Sequence, residues 1–153
     1  MEYELKLGYQ DLKNVKKLFQ EYSLSLGVDL TFQSYDEELQ NLPGKYALPQ
    51  GRLYLLYVDG HAVGVGALRY LKEDACEFKR LYVKPVYRGH HFGEIIMKQL
   101  IQDAKEIGYK EGYLDTLSTL TSAVHLYEKL KFKKIDAYYE NPLENVEYFC
   151  KML

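Results

Sequence analysis

The chain has 153 residues, 47% of them hydrophobic and 27% charged, which suits one compact domain and excludes wholesale disorder, collagen-like repeats and low-complexity architecture. Twenty Lys and Arg against 22 Asp and Glu leave a formal charge of -2, so the composition offers no electrostatic footprint for nucleic acid, and any anionic ligand must be held locally. Sixteen tyrosines without a single Trp fit a wet binding surface, catalytic phenols or a core with polar ends equally well.

The first eight residues carry Glu2, Glu4 and Lys6 and no long apolar run, which argues against a signal or transit peptide. Tyr3, Leu5 and Leu7 alternate with those charges, the period of a half-buried strand. From Asp11 onward Leu12, Val15, Leu18, Phe19 and Tyr22 recur at helical spacing, with Gly27 as the expected stop. Ser34 to Leu42 predicts a second, short helix whose Asp36, Glu37 and Glu38 suit the positive end of its dipole. Pro43-Gly44 and Pro49-Gln50-Gly51 bracket a loop holding Lys45 and Tyr46. Arg52 to Val58 and His61 to Tyr70 read as strands joined by the hairpin turn Asp59-Gly60. Gly64 and Gly66 strip one face of the second strand, which predicts the close approach of another backbone or of a ligand.

Cys76 to Lys84 is a third strand, ended by Pro85, and Phe92 to Ile107 is a long amphipathic helix stopped by Gly108. Gly112 to Asp115 is a short buried strand. Thr119 to Leu130 is a helix with Leu120, Ala123, Val124, Tyr127 and Leu130 on one face and Ser118 or Thr119 as its cap. Phe132 to Ala137 and Glu147 to Lys151 close the chain as strands. The order β, α, α, β, β, β, α, β, α, β, β has no linker or repeat. It predicts one α/β (α+β mixed) domain over residues 1–153, a mostly antiparallel sheet of about seven strands flanked by about four helices. No stretch approaches the ~18 apolar residues of a membrane span. Cys76 and Cys150 lie far apart and outside CxxC spacing, so they read as free thiols of a cytoplasmic protein.

The run from Glu77 to Glu94 takes a strand through a Gly-containing turn straight into the long helix. Helix-start N–H groups lack intrahelical partners and, with the dipole, make an anion site. Gly89 and Gly93 let the backbone come close, and Arg88 adds a positive charge, so phosphate or pyrophosphate is the natural guest. A purely structural helix start is the plainer alternative. Neither GxxxxGK[ST] nor GxGxxG is present. His90 and His91, even with His61 and His125, recur at no ligand spacing with a carboxylate or Cys, so no metal is predicted.

The stretch LYVKPVYRGHHFGEIIMKQLI resembles the acetyl-coenzyme A motif of the GNAT N-acetyltransferase family, and TSAVHLYEKLKF resembles that family's later helix carrying a Tyr. The order of elements agrees along nearly the whole chain. Three positions depart from the pattern: His91 stands for the first motif Gly, Lys131 for the Gly before the final aromatic, and Leu120 for the Asn that often opens the second motif. The resemblance implies acetyl-CoA as co-substrate, with no metal. Its pantetheine arm would lie along Leu81, Tyr82 and Val83, and its pyrophosphate on the N–H groups of Gly89, His90, His91, Phe92, Gly93 and Glu94, with Arg88 nearby. The acetyl group would pass directly to a primary amine, an oxyanion being met by an N–H near Leu81.

Tyr127 is then the acid that protonates the leaving thiolate, although periodicity alone makes it a core ring. Glu77 is the preferred base for the amine, a surface salt bridge with Lys79 or Arg80 being the alternative. Asp115 and Thr116 either orient the acceptor or cap the next helix. Tyr35, Tyr46, Tyr138 and Tyr139, set among Asp29, Asp36, Glu37, Glu38 and Glu140, suggest an aromatic, acidic pocket for a cationic small amine, amino acid or peptide amine, carboxylates that merely solvate a surface being the equal alternative. Two rival readings belong to other classes: a CoA-binding module without catalysis, motivated by His91, and an interaction domain that has lost the cofactor site. The C-terminal strand region admits a homodimer.

Overall fold

The computed structural model describes residues 1–27 and 34–153; Asp29, one of the acidic residues singled out above, lies outside them. The elements are β1 (Tyr3–Leu7), α1 (Leu12–Leu26), α2 (Tyr35–Gln40), β2 (Arg52–Val58), β3 (His61–Lys72), β4 (Ala75–Val83), α3 (Phe92–Ile107), β5 (Glu111–Leu117), α4 (Thr121–Lys129), β6 (Lys133–Ile135) and β7 (Val146–Met152). One seven-stranded sheet runs β1-β2-β3-β4-β5-β7-β6. Only β4 and β5 pair in parallel; the crossover between them is α3.

The predicted order holds element for element, and the differences are at the ends. Neither Ser118 nor Thr119 caps α4: Ser118 N–H is spent on the Asn145 carbonyl and Leu120 N–H on that of Leu117, so a turn intervenes and Leu120 takes the cap position without a side-chain bond. β6 stops at Ile135, which frees residues 136–145 to fold back over the sheet.

Periodicity put an apolar stripe on each long helix, and the two stripes bury against opposite faces of the sheet. Val15, Leu18 and Phe19 of α1 pack on Leu53, Leu55, Val65 and Ala67. Ile96, Met97 and Leu100 of α3 pack on Leu56, Val63, Leu68, Phe78 and Leu114. Gly64 and Gly66 make room for α3 itself, not for a ligand or a second backbone: a Cβ on Gly66 would stand 2.5 Å from Ile96 Cγ2.

Two irregularities of β4 shape the site. Its parallel pairing with β5 covers only Ala75 to Glu77 against Glu111 to Tyr113; beyond that the strands part and leave a cleft. On its other edge the register with β3 shifts between Tyr82 and Lys79, and Arg80 takes a left-handed φ of 64°. Such a bulge turns the strand, so that consecutive Lys79 and Arg80 both line one polar cavity where strict alternation would have parted them.

Candidate active site

At the end of β4 the chain makes a short 3-10 turn at Pro85–Tyr87 and enters α3 through His91, whose backbone is left-handed with φ 62°. Among the described residues, none of the N–H groups from Gly89 to Glu94 donates to another protein group. A Cβ on Gly89 would meet nothing within 4 Å, and one on Gly93 only Leu126 Cδ2 at 3.7 Å, so packing does not dictate glycine at either place. His90 and His91 are both exposed. Arg88 reaches back, its Nε donating to the Val83 carbonyl at 3.0 Å and its guanidinium 5.9 Å from the Tyr82 ring centroid. Glu94 is clamped by Lys129 at 2.6 Å and Lys98 at 2.9 Å; hydrogen bonds from Lys129 and Lys98 pull its carboxyl down to about 2. The corner therefore presents donors and an exposed cation to an anion.

The cleft between the parted strands is walled by Lys79, Arg80 and Leu81 of β4, Asp115, Thr116 and Leu117 of β5, Met97 of α3, and Ala123 and Tyr127 of α4. Tyr127 sits on the apolar face of α4, edge-on to Phe132 with ring centroids 5.8 Å apart, and its hydroxyl has no hydrogen-bond partner among the described residues. Burial first, then the Tyr22 and Asp115 charges, push its phenol upward, so it stays protonated at neutral pH. The Tyr127 ring packs in the core, and the residue also lines the cleft.

Across Lys79 and Arg80 lies a second, polar cavity of about 340 Å³, lined by Glu38, Lys45, Arg69, Glu77, Tyr138 and Tyr139 among others. Glu77 is 1% exposed. Its Oε1 accepts Arg69 Nε and Nη2 at 2.9 and 2.8 Å, and its Oε2 accepts the Tyr138 hydroxyl at 2.5 Å. Burial pushes this carboxyl up, but Lys79 and Arg69, with the bonds from Tyr138 and Arg69, outweigh it and hold it below the ordinary carboxylate value. Lys79 is 9% exposed, and burial followed by repulsion from Arg80 lowers its ammonium. Arg80 grips both oxygens of Glu38 at 3.0 and 3.1 Å and lies 5.0 Å from the Tyr35 ring.

The four tyrosines of the expected pocket divide. Tyr138 and Tyr139 line the cavity and stack in one cluster with Tyr148. Tyr35 and Tyr46 are buried in the α1-side core, beneath the cavity and not on its wall. The Tyr35 hydroxyl donates to the Phe19 carbonyl. Asp115 accepts the Tyr139 hydroxyl and Asn141 Nδ2, and with Thr116 it lines the cleft. Glu77 pairs with Arg69, not with the Lys79 or Arg80 considered from sequence. Arg69 went unnoticed although it is the cross-strand partner of Glu77; the register Arg69↔Glu77 becomes readable only once the β3–β4 hairpin is aligned. The adjacent charges Lys79-Arg80 inside a buried strand were the available signal for the bulge.

The sequence pattern of the Acetyltransferase (GNAT) family matches residues 15–132. An uncharacterized N-acetyltransferase of Schizosaccharomyces pombe is 43% identical over 142 residues, 91% of this chain and 86% of that one. The fold is shared with an acetyltransferase of the GNAT family from Staphylococcus aureus Mu50, at a TM-score of 0.81 and 20% identity over 99% of both chains. It is shared also with the PaiA N-acetyltransferase of Thermoplasma acidophilum, solved in complex with coenzyme A, at a TM-score of 0.76 and 17% identity over 100% of both. A family match over most of the chain and a relative at 43% identity make the protein an acyltransferase: the chain belongs to the GNAT acetyltransferase family. The free N–H row at Gly89 to Glu94 fits a diphosphate, and the edge of β4 beyond Glu77, unpaired on its β5 side, fits an amide-bearing arm.

Proposed function

We propose that the protein transfers the acetyl group of acetyl-CoA directly to a primary amine of a small molecule or peptide, in the cytoplasm. The observation that carries this reading is the junction at Lys79 and Arg80, which line both the cleft and the polar cavity. A thioester in the cleft and an amine in the cavity would meet there without crossing water. Attack of the amine on the thioester carbon develops an oxyanion, for which a backbone N–H of the bulge near Leu81 is a fixed donor. Tyr127 gives its proton to the departing thiolate; its raised proton affinity keeps the phenol loaded for that step.

Glu77 takes the ammonium proton, with the Tyr138 hydroxyl that already donates to it as relay. Its depressed proton affinity makes it a weak base. Cys76 is buried, which pushes its thiol up to about 12, and it takes no part in transfer. The test is release of CoA thiol from acetyl-CoA over a panel of primary amines. Acceleration by at least one amine is expected. Binding of acetyl-CoA without acceleration by any amine supports the CoA-binding module instead, and absence of binding leaves the interaction domain.

A further inference from the structure

Arg69 is a half-buried cation that the transfer chemistry leaves unused. It comes from β3, lines the polar cavity, and is 25% exposed along its side chain. Both of its bonded nitrogens, Nε and Nη2, go to the same oxygen of Glu77. A guanidinium has five N–H donors in a fixed fork, so the Nη1 pair is left over, and no protein group takes it among the described residues. The carboxylates around it are already committed. Glu38 is held on both oxygens by Arg80, and Glu77 on both by Arg69 and Tyr138. Glu140 stands exposed at the rim.

These bonds change what the pocket selects. Acidic residues among tyrosines suggested a pocket for a cationic small amine, amino acid or peptide amine, yet Glu38 and Glu77 of the cavity are each paired with an arginine of the protein. What faces an incoming molecule is the unspent side of Arg69, with Lys79 and Arg80 behind it. An amine with no negative charge would enter a cavity that already holds four cationic side chains, Lys45, Arg69, Lys79 and Arg80. An amine with a carboxylate would give the Arg69 fork the planar partner it matches. The volume, about 340 Å³, lies at the small end of the ~300–1,000 Å³ of ligand pockets and suits an amino-acid-sized guest.

We propose that the acceptor is an amine carrying a carboxylate, an amino acid or a short peptide, and that Arg69 binds this carboxylate as a specificity determinant. The inference rests on the acetyl-transfer reading above. In this arrangement the amine points to the junction at Lys79, and Tyr138 and Tyr139 border the side chain. The bond formed is the amide and the bond broken is the thioester, as in the parent reaction; the carboxylate takes no part in the chemistry.

The experiment pairs each amino acid with its decarboxylated amine: L-alanine with ethylamine, L-leucine with isoamylamine, and L-phenylalanine with phenethylamine. For the wild type, kcat/KM should favour the acid by about 10–100-fold, the worth of a charge-assisted bond. In Arg69→Met that ratio should fall to about one, mostly through KM, and Arg69→Lys should keep part of it. Comparing ratios across variants cancels the difference in amine basicity, and Arg69→Lys covers the case in which Arg69→Met fails to fold. Equal or better use of the decarboxylated amines by the wild type overturns the proposal, as does a ratio that neither folded variant changes. Calorimetry of the same probes on the CoA-loaded wild type gives a second readout: tighter binding of the acids supports the proposal, and no binding of any acid overturns it. Failure of the transfer reading would look different, as acetyl-CoA that does not bind or an amine panel that never releases thiol while the acids still bind.

Discussion

At the corner between β4 and α3 the proposed binding groups are backbone N–H donors contributed by consecutive residues, Gly89 to Glu94. The polar cavity, by contrast, is assembled from side chains of α2, β3, β4 and the segment 136–145, each holding another in place. A site made of backbone tolerates exchange of side chains: His91 stands exposed where the family pattern has Gly, and its backbone is left-handed all the same. A site made of side-chain pairs does not, because removing one member strands its partner in a dry place. The cleft joins the two kinds and is where we propose the transfer step.

The largest expected effect is on that step. Tyr127→Phe should lower kcat by about 10²–10⁴-fold, the usual worth of a positioned general acid, while leaving acetyl-CoA affinity within about twofold. Single-turnover thiol release and calorimetry separate the two quantities. An unchanged kcat would return Tyr127 to its role as a core ring.

Next comes the cavity. Glu77→Gln leaves Arg69 without its counter-charge and should cost about 3 kcal/mol of stability, at the low end for a broken buried pair because Arg69 is partly exposed. Thermal melts would read this. The sign with pH follows from the lowered carboxyl. Its stabilisation is present above the ordinary carboxylate value of ~4.3 and is lost as pH falls through the folded-state value. The wild type should therefore lose stability on acidification more steeply than Glu77→Gln; parallel curves would contradict the pairing.

The corner should respond more mildly. Arg88→Glu is expected to weaken acetyl-CoA binding by about tenfold, roughly 1.4 kcal/mol, with the difference shrinking in high salt because Arg88 is exposed. Smallest is His91→Gly, which removes a left-handed non-glycine residue and should stabilise the fold by about 1 kcal/mol or less without weakening the cofactor. If His91→Gly instead changed affinity tenfold, the corner would be reading side chains and the contrast with the cavity would fail.

The same contrast explains what the sequence disclosed. The corner was legible because its elements are contiguous: strand, Gly-bearing turn and helix start occupy one stretch from Glu77 to Glu94. The order of strands and helices was legible because each apolar period is local. The cavity was not, because its bonds join distant residues. Arg80 meets Glu38 across 42 positions, and Tyr138 meets Glu77 across 61. Asp36 to Glu38 were read as a run of acid, yet only Glu38 turns inward, to Arg80. Gly64 and Gly66 were rightly marked as places of close approach, but periodicity carries no label for what approaches, and Ile96 of α3 fills the space.

The insertion of β7 between β5 and β6 carries a consequence for biosynthesis. β7 pairs with β5 along its whole length, from Glu111↔Met152 to Leu117↔Val146, and β6 pairs only with β7. A chain leaving the ribosome thus exposes β5 as a bare edge until the last strand arrives, a template open to wrong partners. The wall of the cleft that holds Asp115 and Thr116 is braced from behind only at that moment. Nascent chains halted before Val146 should be readily cut by protease within β5 and α4, and resistance should appear in one step once β7 is complete.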